Sequence, residues 1–366
     1  PRSVRYLRNQ PVAGSPFLCV DEKTEALTNK GWKGIDQLAE GDLIAGYDMK
    51  TGKLRWRPVN WIYRNKYKGP MLSVKDRHLD MLLTPDHRCV TLRRSRVPGK
   101  RKQNVTQLVP QIVLSQDLNT GDNIPVAAEF DGLPTAPIYS DGFVKVVGWF
   151  VTEGCRHTHC DQMILAQNTR KAHMVREALT EAGMTWREDL TTKEAHNAKK
   201  GSFKANHDKF NFYVHAKHGR GVFKALGSTK SLTPEFIGRL TRPQLDLLIE
   251  TMIDGDGCRS GSSVSFIQKP GQTLESFKMA LTLAGRSYGV HVRPDGIEQV
   301  TLRQGHSYAL KRTPRKWVEY DGRIWCPQVE ELTTWVARRN GKVFVTGNTW
   351  MYKAAPRLLE VAALHP

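Results

Sequence analysis

Cys19-Val20-Asp21-Glu22-Lys23-Thr24-Glu25-Ala26-Leu27-Thr28-Asn29-Lys30-Gly31-Trp32 opens one end of a fold, and Val343-Phe344-Val345-Thr346-Gly347-Asn348 closes the other. From residue 20 to about 129 the chain reads as short strands broken by turns. Ala45-Gly46-Tyr47-Asp48, Lys50-Thr51-Gly52-Lys53 and Arg55-Trp56-Arg57-Pro58-Val59 show the pattern. Alternating apolar positions with Gly, Asp and Asn between them suit half-buried strands and tight turns. Gly121-Asp122-Asn123-Ile124-Pro125-Val126 ends this stretch, and Asp131-Gly132-Leu133-Pro134-Thr135-Ala136-Pro137 reads as a linker. β character returns from about 318 to 348. The two stretches are expected to form one compact all-β domain with a long insertion.

Within the insertion the period changes. Val144, Val147, Gly148 and Val151 share one helical face, and so do Leu245, Leu248, Ile249 and Met252. Each pattern runs into an acid and a glycine: Trp149-Phe150-Val151-Thr152-Glu153-Gly154, then Met252-Ile253-Asp254-Gly255-Asp256-Gly257. Glu153 and Asp256 are 103 positions apart, which reads as two copies of one helical module. More helix is expected after each, over Thr169–Ala182 and Thr273–Ala284. Residues 190–230 are polar and rich in Lys and His, interleaved with Phe203, Phe210, Phe212, Tyr213 and Phe223.

A chain of 366 residues can bury two or three cores. Lys and Arg number 55 against 36 Asp and Glu, giving a formal charge of +19. Dense basic runs stand at Arg93-Arg94-Ser95-Arg96, at Lys100-Arg101-Lys102, and from Lys311-Arg312 to Arg315-Lys316. Such an excess favours a polyanionic partner, because each neutralised phosphate releases condensed counterions. No apolar run has the length of a membrane span, and no charged-apolar-small pattern opens the chain, so no membrane partner is expected. Cysteines at 19, 89, 155, 160, 258 and 326 make no disulfide framework and read as reduced thiols in a cytoplasmic setting. Pro rather than Met at position 1 reads as a fragment.

Reactive residue types stand at both ends of the β portion. Cys19 is the strongest nucleophile near neutral pH. Leu83-Thr84-Pro85-Asp86-His87 supplies a histidine, whose ordinary pKa suits proton transfer. Asn348 carries an amide and Thr349 a hydroxyl. Any one of these is ordinary in a folded protein. Their order along the chain is not.

Taken in order, these motifs resemble an intein that carries an embedded LAGLIDADG (DOD-type) homing endonuclease, over residues 19–348. The resemblance implies a multidomain fold: an all-β Hint splicing domain interrupted by an α+β two-repeat endonuclease. Its halves would be 19–130 and 318–348, with the nuclease at 131–317 and repeats at about 141–235 and 236–317. Flanks 1–18 and 349–366 would be extein pieces acting in cis. Cys19 would form a thioester with help from Thr84 and His87, Thr349 would take over the acyl group, and Asn348 would cyclise, all without a cofactor. The nuclease would cut double-stranded DNA at the intein-less host gene, as a monomer, in a bacterial or phage-infected cell. Glu153 and Asp256 would hold a divalent cation, and hard oxygen donors suit Mg2+. Gly148 would allow close helix approach, Asp254 would cap or pack, and Gln167 and Lys269 would orient water.

This sequence departs from the family pattern at its downstream end. Gly347 stands where a His usually precedes the terminal Asn, and Thr333-Thr334-Trp335 lacks the upstream His that often assists it. A His placed at 347 is therefore expected to speed cyclisation. Cys326, in Ile324-Trp325-Cys326-Pro327, replaces an activating Asp. With Thr346 it resembles part of an alternative intein class whose internal cysteine forms the first branch. The Trp of that class is absent, Cys89 standing near its place, and Cys19 is present, so the ordinary route is favoured with Cys326 as an accessory. Two rivals stay open: a splicing element with a degenerate nuclease that still binds DNA, and a free-standing homing endonuclease. Cys155-Arg156-His157-Thr158-His159-Cys160 is too cramped for a tetrahedral zinc site without other ligands.

Overall fold

The computed structural model describes residues 18–98, 104–157, 160–198, 206–227 and 229–348. Residues 1–17 and 349–366, and with them Thr349, lie outside the described residues, as do Lys100-Arg101-Lys102, Phe203 and His159. By internal contacts the chain divides into two units, one of residues 1–132, 285–289 and 303–366 and one of 133–284 and 290–302. The chain thus returns to the first unit well before the expected 318. The reason is local: Ser307–Ala309 pairs with Asn123–Pro125, and Leu310 is fully buried in the first unit's core.

Apart from two single-turn 3-10 helices, Ser115–Asp117 and Leu310–Arg312, the described regular structure of the first unit is β, in a 13-stranded sheet system. Its strands from the two ends of the sequence interleave. Arg315–Val329 runs antiparallel to Lys53–Lys75 from Arg315↔Val74 to Val329↔Val59. Thr334–Arg339 lies between Thr24–Thr28 and Lys342–Gly347. The last six residues of Arg315–Val329 are all buried, so both faces are covered there and no polar-apolar alternation survives in the sequence. Leu72, Met81, Leu83, Trp325, Trp335 and Phe344 belong to one core cluster, with the Trp325 and Trp335 ring centroids 5.4 Å apart. Arg339 ties the ends together through Asp21 at 3.0 Å and Asp80 at 2.5 Å, both carboxylates being 1% exposed. Buried charges are tolerated in such numbers only when paired.

The second unit repeats one motif. Helix Asp141–Glu153 leads into strands Gly154–Arg156, Met163–Asn168, Trp186–Thr191 and Lys209–Val214. Helix Arg242–Asp256 leads into Gly257–Ser260, Ser263–Gln268, Tyr288–Val292 and Glu298–Leu302. Both four-stranded sheets place the strands in the order first, second, fourth, third. Ser140 caps the first helix by accepting from Phe143 N–H at 3.2 Å, and Thr241 with Gln244 forms a capping box on the second. Every residue of the two apolar faces read from the sequence is buried.

The helices cross where their side chains are smallest. A Cβ on Gly148 would lie 2.9 Å from Thr251 Cγ2, and one on Gly255 would lie 2.7 Å from Thr152 Cβ. Thr251 and Gly255 stand 103 positions after Gly148 and Thr152, the same offset as Asp256 from Glu153. Each glycine therefore meets its own counterpart, as residues on a two-fold axis must. The threonine hydroxyls turn back on their own helices, Thr152 to Gly148 O at 3.0 Å and Thr251 to Leu247 O at 2.8 Å, so the close crossing leaves no polar group unpaired.

Candidate functional sites

Val20 pairs with Leu83 on one side and Trp325 on the other. One step further along both registers, Cys19 falls beside Thr84 and opposite Cys326. Cys19 N–H donates to Thr84 Oγ1 at 2.9 Å, and Thr84 N–H donates to Cys19 O at 3.1 Å. The Thr84 hydroxyl is also 3.2 Å from that carbonyl. Cys19 is fully buried among Tyr63, Tyr67, Met71, Leu82, Ile324 and Cys326. Burial, and then the neighbouring Cys326, push its thiol well above the ordinary cysteine range. The resting group is a thiol, so it needs a base.

His87 supplies one. It is fully buried, with Nε2 2.6 Å from Thr346 Oγ1. Burial pulls its imidazole down to about 4, the Leu18 backbone working against this and the Arg88 charge adding to it. Nδ1 has no partner at hydrogen-bonding geometry. At neutral pH the ring is uncharged. Cys89 lies in backbone register opposite Thr346, its Sγ 3.8 Å from His87 O, and burial raises its pKa far above the ordinary range.

Asn348 is fully buried as well. Its backbone N–H donates to Thr333 O at 2.9 Å. With the amide nitrogen also turned to Thr333 O, at 3.0 Å, the amide oxygen accepts from Val329 N–H at 2.8 Å. Thr333 reaches this position at a φ of 54°, a left-handed conformation that a β-branched residue rarely adopts. Arg88 Nη1 donates to the Asn348 carbonyl oxygen at 3.4 Å. Gly347 O accepts from Trp335 Nε1 at 3.1 Å. Thr333 enters the sequence pattern only within a stretch that lacks a histidine, and Arg88 and Val329 do not enter it at all. Arg88 adjoins the histidine motif, which is a usable signal; the other two act through backbone groups and leave none.

In the second unit, Glu153 and Asp256 end their helices. Burial first and then the Asp256 charge raise the pKa of Glu153, while Gln167, Lys171 and Lys230 hold it down. Burial raises Asp256, with Lys230, Gln268 and Lys171 opposing. Gln167 Nε2 donates to Glu153 Oε1 at 3.2 Å, and Gln268 Nε2 donates to Asp256 Oδ2 at 2.8 Å. The side chain that meets the second acid is thus Gln268, not its exposed neighbour Lys269. The second hairpin is shorter, so the 103-residue offset points past the matching residue. Lys171 Nζ reaches Asp254 O at 2.5 Å, and Lys230 Nζ reaches Thr152 O at 3.3 Å. Each lysine covers carbonyls in the last turn of an acid-bearing helix, where the dipole favours a cation. Asp254 itself pairs with Arg259 at 3.2 Å.

Two half-buried carboxylates that each resist ionisation fit a divalent cation, which would relieve their repulsion. Among the described residues no three His, Cys, Asp or Glu side chains gather as a metal site. Two carboxylates suffice for a Mg2+ ion that takes its other ligands from phosphate and water. Cys155 and Cys160 are exposed, and the ion pair beside them is Arg156 with Asp161 at 2.5 Å.

No family model matches the chain. Over 118 residues, 31% of its length, it is 30% identical to the ribonucleoside-diphosphate reductase subunit beta of Aquifex aeolicus (strain VF5). Over 70 residues, 19% of its length, it is 31% identical to the ATP-dependent Clp protease proteolytic subunit of Chlamydomonas moewusii. Those matches span 16% and 7% of the relatives. Solved structures similar to the chain include the homing endonuclease I-DmoI in complex with DNA and Mn, at 11% identity and a TM-score of 0.32, over 44% of this chain and 90% of that one. Another is the AceL NrdHF class 3 split intein, in a splice-inactive variant, at 16% identity and a TM-score of 0.24, over 31% of this chain and 66% of that one.

Proposed function

We propose that this chain is an intein with two activities: autocatalytic protein splicing by an all-β Hint domain and site-specific cleavage of double-stranded DNA by a LAGLIDADG insertion. The observation that carries the reading is the 2.6 Å contact between His87 and Thr346, beside a fully buried Cys19 and a fully buried Asn348. His87 and Thr346 come from segments 259 positions apart, and Cys19, Thr84 and Asn348 belong to the same unit. The short matches to a reductase subunit and a protease subunit fit the same reading, since an inserted element can sit in hosts of unrelated activity.

In the first step His87 takes the Cys19 thiol proton as sulfur attacks the Leu18 carbonyl carbon. The bond to Cys19 N breaks, and the proton passes to that nitrogen. Thr84 holds both the N–H and the carbonyl of Cys19 during the exchange. Thr349 then attacks the thioester through its hydroxyl and returns the proton to the Cys19 sulfur. Cys326, opposite Cys19, can receive the acyl group on the way, which keeps it an accessory. Asn348 Nδ2 next attacks its own carbonyl carbon, the bond to Thr349 N breaks, and the amide proton moves to that nitrogen. An acyl shift from oxygen to nitrogen leaves a normal peptide bond between the flanks.

In the nuclease, Glu153 and Asp256 would hold a divalent cation, which when bound supplies a Lewis acid to water and to the leaving oxygen. Gln167 and Gln268 fix the carboxylates, and Lys171 and Lys230 neutralise them until DNA arrives. The charge of +19 favours binding to the phosphate backbone. Mass spectrometry of the expressed chain for joined flanks, and cleavage of a plasmid carrying the flank junction with Mg2+ or chelator, test the two activities separately. Joined flanks without cutting would favour the degenerate-nuclease rival, and cutting without joining the free-standing nuclease.

A further inference from the structure

Gln328 is 5% exposed, and among the described residues its Nε2 has no hydrogen-bond partner. A buried amide donor left unpaired opposes folding, so its position calls for a reason. That position is beside the upstream junction. Along Arg315–Val329, Ile324 and Cys326 pack in the cluster around Cys19, whereas Trp325 and Val329 pack in the larger core. Alternate side chains of a strand share a face, so Gln328 continues the face of Ile324 and Cys326. Across the ladder Cys326 pairs with Tyr63 and Gln328 with Trp61, and both rings pack in or against the Cys19 cluster. The register shifts directly afterwards, between Gln328 and Val329, and the Val329 N–H holds the Asn348 amide. Before reaction the Leu18 carbonyl is part of the backbone. Once its carbon is bonded to the Cys19 sulfur, it stands on the side-chain face that Cys326 and Gln328 share.

We propose that Gln328 is a catalytic residue of the acyl-transfer steps: its Nε2 donates to the Leu18 carbonyl oxygen while that carbon is joined to the Cys19 sulfur. The inference rests on the splicing reading of the first unit. As sulfur bonds to the carbonyl carbon, the carbon–oxygen electron pair moves onto oxygen, which accepts from the Gln328 amide. The pair returns as the bond to Cys19 N breaks, and that nitrogen takes the thiol proton by way of His87. When the Thr349 hydroxyl attacks the thioester, charge builds on the same oxygen, and sulfur leaves with the hydroxyl proton. A donor that is unpaired at rest and paired with the charged oxygen lowers the barrier without tightening the ground state.

The test uses the full chain with both flanks in two backgrounds. Asn348→Ala reports thiol-induced cleavage between Leu18 and Cys19, and Cys19→Ala reports release of residues 349–366, both by mass spectrometry. Gln328→Met, close in volume but without a donor, is compared with the native glutamine in each. Cleavage should slow tenfold or more, toward the roughly hundredfold or greater loss that follows removal of an oxyanion donor. Release should stay within threefold. The urea midpoint should be unchanged or higher, because an unpaired buried donor has been removed; a glutamine that serves the fold would give a lower one. Cleavage less than tenfold slower overturns the assignment, and so does a lowered midpoint or release slowed more than threefold. Gln328→Leu repeats the comparison with a different shape. If only one variant folds, that variant decides; if neither folds, the residue is structural and the assignment falls. No cleavage and no release from the two backgrounds with Gln328 intact would remove the splicing reading itself, and this proposal with it.

Discussion

His87 and Thr346, 259 positions apart, meet through Nε2 and Oγ1 at 2.6 Å inside the first unit. The contact joins the strand after the histidine motif to the last strand, because Thr346 pairs in register with Cys89. It holds a neutral imidazole beside the Leu18–Cys19 junction, and neutrality has a measurable consequence. The folded pKa of about 4 lies below the ordinary 6.5, so between those values the unfolded chain binds the proton more readily. Stability is therefore complete above pH 6.5, falls as pH drops through that range, and levels off below 4. The loss amounts to roughly 3 kcal/mol. Urea titrations at pH 7, 5 and 4 on an Asn348→Ala background should show it, and His87→Gln should flatten the slope. An equal pH slope in both proteins would contradict a buried neutral His87.

Cys19→Ala should abolish joined product and thiol-induced upstream cleavage, because alanine carries no nucleophile. Asn348 should still release the downstream flank. Joined flanks in this variant, seen by mass spectrometry, would move the first attack to Cys326.

A histidine at 347, expected from the sequence alone to speed cyclisation, should instead slow it. Its Cβ would collide with Arg88 O at 2.5 Å, which displaces the guanidinium from the Asn348 carbonyl. Downstream release in Gly347→His is expected to fall at least tenfold, and Gly347→Ala should behave alike because the clash begins at Cβ. Faster release in the histidine variant would show that the backbone yields at little cost.

Gly255→Ala should force the helix crossing apart, since the added methyl meets Thr152 Cβ at 2.7 Å. Overpacking of this kind destabilises by about 1–3 kcal/mol, and it shifts the acids carried just beyond the crossing. Plasmid cutting should drop at least tenfold while flank joining is unchanged. Combining it with Thr152→Gly, which removes every side-chain atom that the new methyl meets, should recover part of the activity.

Glu153→Gln should eliminate cutting yet raise the thermal transition of the second unit at neutral pH. The folded pKa of Glu153 is raised, so ionisation opposes folding above that pKa and an uncharged isostere removes the penalty. Calorimetry at pH 7.5 and 4.5 should show the gain only at the higher pH. DNA binding should persist and weaken steeply with salt. Undiminished cutting would sink the role of the acid.

Periodicity and residue order made legible the β character of the two end stretches, the two acid-bearing helices with the helix after each, and the reactive residue types at 19, 87, 348, 153 and 256. These are local properties: a helix face repeats every 3.6 residues, and a nucleophile is legible from its type. The 23-residue strand Lys53–Lys75, by contrast, stands where short strands were expected. The family resemblance implied Gly148 at a close helix approach, and a Cβ there would meet Thr251 Cγ2 at 2.9 Å. Only the tertiary structure decided what those residues face. Strand register set Cys19 between Thr84 and Cys326 and brought Thr346 to His87, and register depends on pairings hundreds of residues apart. A shorter second hairpin made Gln268, rather than Lys269, the partner of Asp256. The Asn348 amide is held by backbone groups of Val329 and Thr333, and a backbone carbonyl has no letter in a sequence. Gly347 read as a missing histidine; in three dimensions it is the gap through which Arg88 reaches the Asn348 carbonyl.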